Sequence, residues 1–257
     1  MASLLLSLHA TPTFALQTFV YALIGGVFPA LIWLWFWMHE SHEHHEPKNT
    51  IWITFLAGMC CVFVVYPLQK LTDFLPFQSG TLGGATSGAA NWNVLLIWAF
   101  FEEAVKFLAA YLIVLRSKSD TYDEPIDAFV YLMTAALGFS AMENTFFLLS
   151  PLLSGDALTG VLTGNMRFMG ANLLHVASSG VLSIFLSYAY YKPKYIEKIY
   201  VIAGLITATV LHALFNLLII MITEAEKSRL FVAFSFVWIS IILLILALER
   251  VKTIKEF

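Results

Sequence analysis

Little of this chain can be left in water. Apolar runs at 14–38, 51–69, 94–115, 126–149, 166–191, 199–222 and 229–248 each come close to or exceed the roughly 20 residues that an α-helix needs to cross a hydrocarbon core about 30 Å thick. In hydrocarbon every backbone N–H and C=O must find its partner inside the protein, so such runs are helical. The reading is an all-α, polytopic membrane protein of about seven transmembrane helices, with residues 1–257 forming a single integral membrane domain. Only 12% of the residues are charged and 60% are hydrophobic, outside the usual range of a water-soluble domain. No basic tract with interleaved aromatics is present, which excludes nucleic acid as a partner. The partner implied by the composition is the lipid bilayer.

Orientation follows from the loop charges. The loops after the odd-numbered runs carry nine Lys and Arg: Lys48, Arg116, Lys118, Lys192, Lys194, Lys198, Arg250, Lys252 and Lys255. The opposite side carries four: Lys70, Arg167, Lys227 and Arg229. The positive-inside rule places the N-terminus outside and the C-terminus in the cytoplasm, as expected of a multi-pass protein of the plasma membrane. Two connectors stand out. The Gly-, Ser- and Thr-rich stretch 71–93 is long enough to form an outer flap or a plain link. The stretch 39–46, with four histidines and three glutamates, is of a type that binds metal, but it lacks HExxH and reads better as a solvated cytoplasmic loop.

The informative residues are the charges inside the runs. Glu102, Glu103 and Lys106 interrupt the third run, and a charge at mid-membrane costs about 2.5–3.5 kcal/mol on insertion scales. On a helix Lys106 lies between the two carboxylates and can neutralise one of them. Glu143 and Asn144 on the fourth run, Asn172 and His175 on the fifth, and His212 and Asn216 on the sixth complete the set. Glu103, His175, His212 and Glu143 stand nine, nine, ten and six residues from the outer ends of their runs. At a rise of about 1.5 Å per residue they share a depth of roughly 9–15 Å, which predicts one site in the outer half of the membrane, entered from outside between the connectors 71–93 and 150–165. Interhelical hydrogen bonding accounts for any one asparagine, at about 0.6–2 kcal/mol, but not for so many ionisable groups at one depth.

Such a constellation supports peptide hydrolysis in two ways. A glutamate can deprotonate an attacking water while histidine or asparagine donors hold the oxyanion. Alternatively His175, His212 and Glu103 can hold zinc with an open position. The site-2 type of intramembrane metalloprotease requires HExxH and the aspartyl type two deep aspartates, and neither is present. Ala177-Ser178-Ser179-Gly180 approaches the GxSG of serine-type enzymes, but alanine replaces the first glycine and the glutamates stay unexplained. The alternative class is a cation or metal transporter or channel that uses the same groups as its transport site. It should show related halves with paired broken helices, and the sequence shows neither.

The EExxK of Glu102–Lys106, DEPIDAFVY at 123–131 leading into GFSAMEN at 138–144, Arg167 with His175, and HALFN at 212–216 together resemble the PrsW family of intramembrane proteases, relatives of the CAAX prenyl proteases and bacteriocin-processing enzymes. The likeness covers about 94–222. It implies a CAAX-protease-like helical core and cleavage of a membrane-anchored protein of the anti-sigma-factor type on the extracytoplasmic side. Glu102 and Glu103 match the family's catalytic pair, His175 its next essential position, and His212 with Asn216 an oxyanion or ligand pair. The expected site is therefore Glu102, Glu103, Lys106, Glu143, His175, His212 and Asn216, with His175, His212 and Glu103 as metal ligands should zinc be used.

Overall fold

The computed structural model describes residues 12–40, 46–72, 92–116, 121–220 and 228–255. The histidine-rich stretch falls mostly, and the 71–93 connector almost wholly, outside the described residues. Seven helices follow in order: α1 (Pro12–Glu40), α2 (Lys48–Leu71), α3 (Trp92–Ala110, continued by a π turn at Tyr111–Leu115), α4 (Asp127–Leu153), α5 (Ala157–Ala189, with a π turn at Arg167–Ala171), α6 (Lys194–Ile220) and α7 (Ser228–Val251). Six of them are long and apolar enough to cross a membrane; α3 is the exception, because Glu102, Glu103 and Lys106 break its apolar run. The protein is a multi-pass, all-helical membrane protein.

The elements match the seven expected, but one connector does not. Residues 150–165 are not a loop bordering an opening: α4 runs on to Leu153 and α5 begins at Ala157, so only 154–156 are non-helical. Gly155 takes a positive φ of 78°, the conformation that glycine supplies just past a helix end. Asp156 caps α5, its two carboxylate oxygens accepting from the Thr159 N–H and hydroxyl at 3.0 and 2.6 Å. Two adjacent residues thus close one helix and open the next.

α4 is the axis of the bundle. It packs against α1, α2, α3 and α5, and every residue from Asp127 to Ala141 is buried, as expected of a helix that is apolar on all sides. The approach to α2 depends on two glycines. A Cβ on Gly58 would overlap the Ala135 carbonyl, and one on Gly138 would overlap that of Phe55, so the two backbones lie in direct contact, the small-residue packing typical of membrane helices. α5 is likewise buried from Asn172 to Gly180. The outer helices turn apolar side chains such as Phe28, Phe63, Ile206 and Leu243 outward, where lipid is their solvent.

Candidate active site

α3, α5 and α6 bring the charged residues together in the interior. Lys106 is fully buried, and its ammonium has only donors to offer. It donates to Glu103 Oε1 at 2.5 Å and to His175 Nδ1 at 3.1 Å, and it lies 5.1 Å from the centre of the Phe139 ring, within cation–π range. His175 Nδ1 must then be the acceptor, so the ring carries its proton on Nε2 and donates to Glu143 Oε2 at 3.2 Å. Glu143 in turn is paired with Arg167, whose guanidinium also donates through Nε to Asn144 Oδ1. The π turn in α5 carries Arg167 at its start, and Trp33 donates to the Phe168 carbonyl inside it at 3.3 Å.

The two adjacent glutamates differ sharply. Glu103 accepts from Lys106, from Ser178 Oγ at 2.8 Å and from His212 Nδ1 at 2.7 Å on Oε1, and from Ser179 Oγ at 2.8 Å on Oε2. Three of these bonds converge on Oε1 and one reaches Oε2, so both oxygens of this carboxylate are engaged. Glu102 accepts one bond, on Oε1 from Gln69 Nε2 at 2.9 Å. Its Oε2 is buried with no hydrogen-bond partner and stands 3.4 Å from His212 Nε2. Since His212 donates its Nδ1 proton to Glu103, Nε2 presents a lone pair toward Glu102 Oε2. Two acceptors face each other across this gap, and a proton or a cation between them, or a water bridging them from one side, satisfies both.

Among the described residues, Glu102, His175 and His212 offer ligand atoms within 4.8 Å of one another. The carboxylate of this set is Glu102, where the sequence reading put Glu103. The expected site residues Glu102, Glu103, Lys106, His175 and His212 stand in one contact network, and Glu143 joins it through His175. Asn216 is half-buried one turn beyond His212, and none of the network's hydrogen bonds among the described residues reaches it. Asn172 instead accepts from Ser140 and Asn144 at 2.6 and 2.9 Å, a structural link between α4 and α5.

The sequence reading missed Gln69 and gave Ser178 and Ser179 no part. The serines stood in plain view as a failed serine-protease motif; the usable signal was their spacing, three and four residues after His175 and so on its helical face. Gln69 gave no signal, since a glutamine near the end of a membrane helix ordinarily faces interfacial water.

A polytopic bundle with carboxylates and imidazoles gathered in its interior, one buried carboxylate oxygen without a hydrogen-bond partner, has the make-up of an intramembrane hydrolase. Comparison with known proteins agrees. Residues 46–246 match the family described as PrsW family intramembrane metalloprotease, and the chain belongs to that family. Two curated relatives are each named Protease PrsW. The one from Geobacillus kaustophilus (strain HTA426) is 29% identical over 206 residues, covering 78% of this chain and 81% of the relative. The one from Halalkalibacterium halodurans (strain ATCC BAA-125 / DSM 18197 / FERM 7344 / JCM 9153 / C-125) is 24% identical over 237 residues, covering 91% and 97%. No solved structure matches the chain. The protein is an intramembrane peptidase, which decides against the transporter alternative.

Proposed function

We propose that this peptidase cuts a membrane-anchored protein of the anti-sigma-factor type near the extracytoplasmic face, with Glu102 drawing the proton from the attacking water. The observation that carries the reading is the open oxygen: Glu102 Oε2 is buried, has no hydrogen-bond partner and faces His212 Nε2 at 3.4 Å. A water beside that pair donates to Glu102 and, with its other proton, to His212. Glu103 holds His212 by its Nδ1 proton and fixes the ring's tautomer, the role of a carboxylate behind a working histidine. Lys106 balances the Glu103 charge and fixes His175, and Glu143 takes the far proton of His175. Asn216, on the His212 face one turn on, supplies an amide donor for the developing oxyanion. After attack, Glu102 returns the proton to the leaving amine, as a general base does in reverse.

The same residues fit a metal. Glu102 Oε2 and His212 Nε2 each present an unengaged lone pair, and His175, the third member of a Glu/His/His set of the kind that holds zinc with an open position, would join them by giving up its bond to Glu143 or to Lys106. When bound there, zinc supplies Lewis acidity and a more acidic water.

The orientation with the N-terminus outside rests on the loop charges. The membrane proteome of cells making the wild-type chain, compared with cells making Glu102→Gln, tests the reading. Single-span proteins shortened at their outer side in the first and full-length in the second are the expected result. Identical membrane proteomes, or shortening on the cytoplasmic side, would contradict it.

A further inference from the structure

Gln69 is the single polar side chain that α2 sends to the glutamate pair, and it is fastened there. α2 is apolar over most of its length, and Gln69 and Lys70 stand in its last turn. Lys70 is exposed, whereas Gln69 is half-buried and turned inward to donate to Glu102 Oε1 at 2.9 Å. The backbone at this point is tied down as well. The Thr72 hydroxyl, in a residue 1% exposed, donates to the Gln69 carbonyl at 2.6 Å. Trp98 Nε1 donates to the same hydroxyl oxygen at 2.8 Å. Trp98 precedes Glu102 by four residues on α3, one helical turn. Trp98, Thr72, Gln69 and Glu102 thus form a closed circuit: three hydrogen bonds and one turn of α3.

A carboxylate can rotate about its last torsion and exchange its two oxygens, a broad and shallow motion. A donor fixed on one oxygen removes that freedom. We propose that Gln69 is a positioning residue for hydrolysis, which by occupying Oε1 of Glu102 directs Oε2 at His212 Nε2 and keeps it open for the attacking water. The Thr72–Trp98 clamp holds Gln69 in the pose that does this. The proposal rests on Glu102 as the reacting carboxylate, and the experiment separates the two claims.

Infrared spectroscopy of the full chain in lipid, with 13C-glutamate labelling, isolates the Glu102 carboxylate band as the difference between wild type and Glu102→Gln. Gln69→Leu is expected to move that band, and Thr72→Val, which loosens the clamp and keeps the glutamine, to move it less and in the same direction. On a single-span reporter cut by the wild-type chain, Gln69→Leu should lower kcat about 10- to 100-fold, the size typical for losing a partner that orients a reacting group, with KM within about twofold, as befits an interaction that acts on the chemical step. A Glu102 band unmoved by both substitutions, or an unchanged kcat, overturns the proposal. Full cleavage by Glu102→Gln would instead sink the reading of Glu102 itself.

Discussion

Glu102 and Glu103 are neighbours in sequence, and a helix turns successive side chains about 100° apart, which is enough to give two glutamates opposite roles. Glu103 is bonded on both oxygens by Lys106, His212 and two serines, whereas Glu102 keeps an oxygen open. The difference is measurable as stability. Glu103→Gln leaves the Lys106 ammonium buried without its counter-charge, and breaking a buried pair this way costs about 3–5 kcal/mol. Glu102→Gln removes a partly satisfied carboxylate and should leave stability within about 1 kcal/mol of wild type, since most of its surroundings are unchanged. Unfolding titrations in mixed micelles distinguish the two, and equal losses for both variants would contradict the division of labour. The residue types and their shared depth were legible in the sequence. The division between the glutamates was not, because it is decided by Ser178, Ser179 and Gln69, uncharged side chains whose presence in a membrane helix is ordinary.

At the scale of elements, the bundle depends on how closely α2 approaches α4. Gly58 and Gly138 let the backbones touch, so Gly138→Ala forces a methyl against the Phe55 carbonyl, and overpacking of this kind costs about 1–3 kcal/mol. Gly164 is the internal control: a Cβ there would meet only the Leu148 side chain at 3.5 Å, and its alanine variant should be neutral within about 0.5 kcal/mol. The same titrations compare them, and equal behaviour of the two variants would mean that the α2–α4 contact is not tight. Hydrophobic runs announced the seven helices, since their length is set by the bilayer. They did not place the end of α4 and the start of α5, because the terminating signals in Gly155 and Asp156 are two residues long and lie between segments that are themselves apolar. Nor did they announce the π turn that carries Arg167 to Glu143; one extra residue in a helical turn leaves the apolar pattern unaltered.

For the whole molecule, the helices hold an interior network in which, among the described residues, Glu102 Oε2 is the buried carboxylate oxygen without a hydrogen-bond partner. In the proposed orientation the ends of α2 and α4 and the starts of α3 and α5 face outward. The 154–156 turn is shorter than the sequence suggested, so the link between α4 and α5 is almost wholly helical, and the proposed approach to Glu102 is from the Gln69 end of α2. The measurement that bears most directly on this account is cleavage of a purified single-span reporter by the full chain, reconstituted in sealed vesicles of known orientation, with the cut mapped by mass spectrometry. The wild-type chain should cut in the outer half of the reporter's span, and Glu102→Gln should lower the rate by at least about 100-fold, the scale of losing a group that acts in the transition state. A cut in the cytoplasmic half, or comparable cleavage by Glu102→Gln, would contradict it.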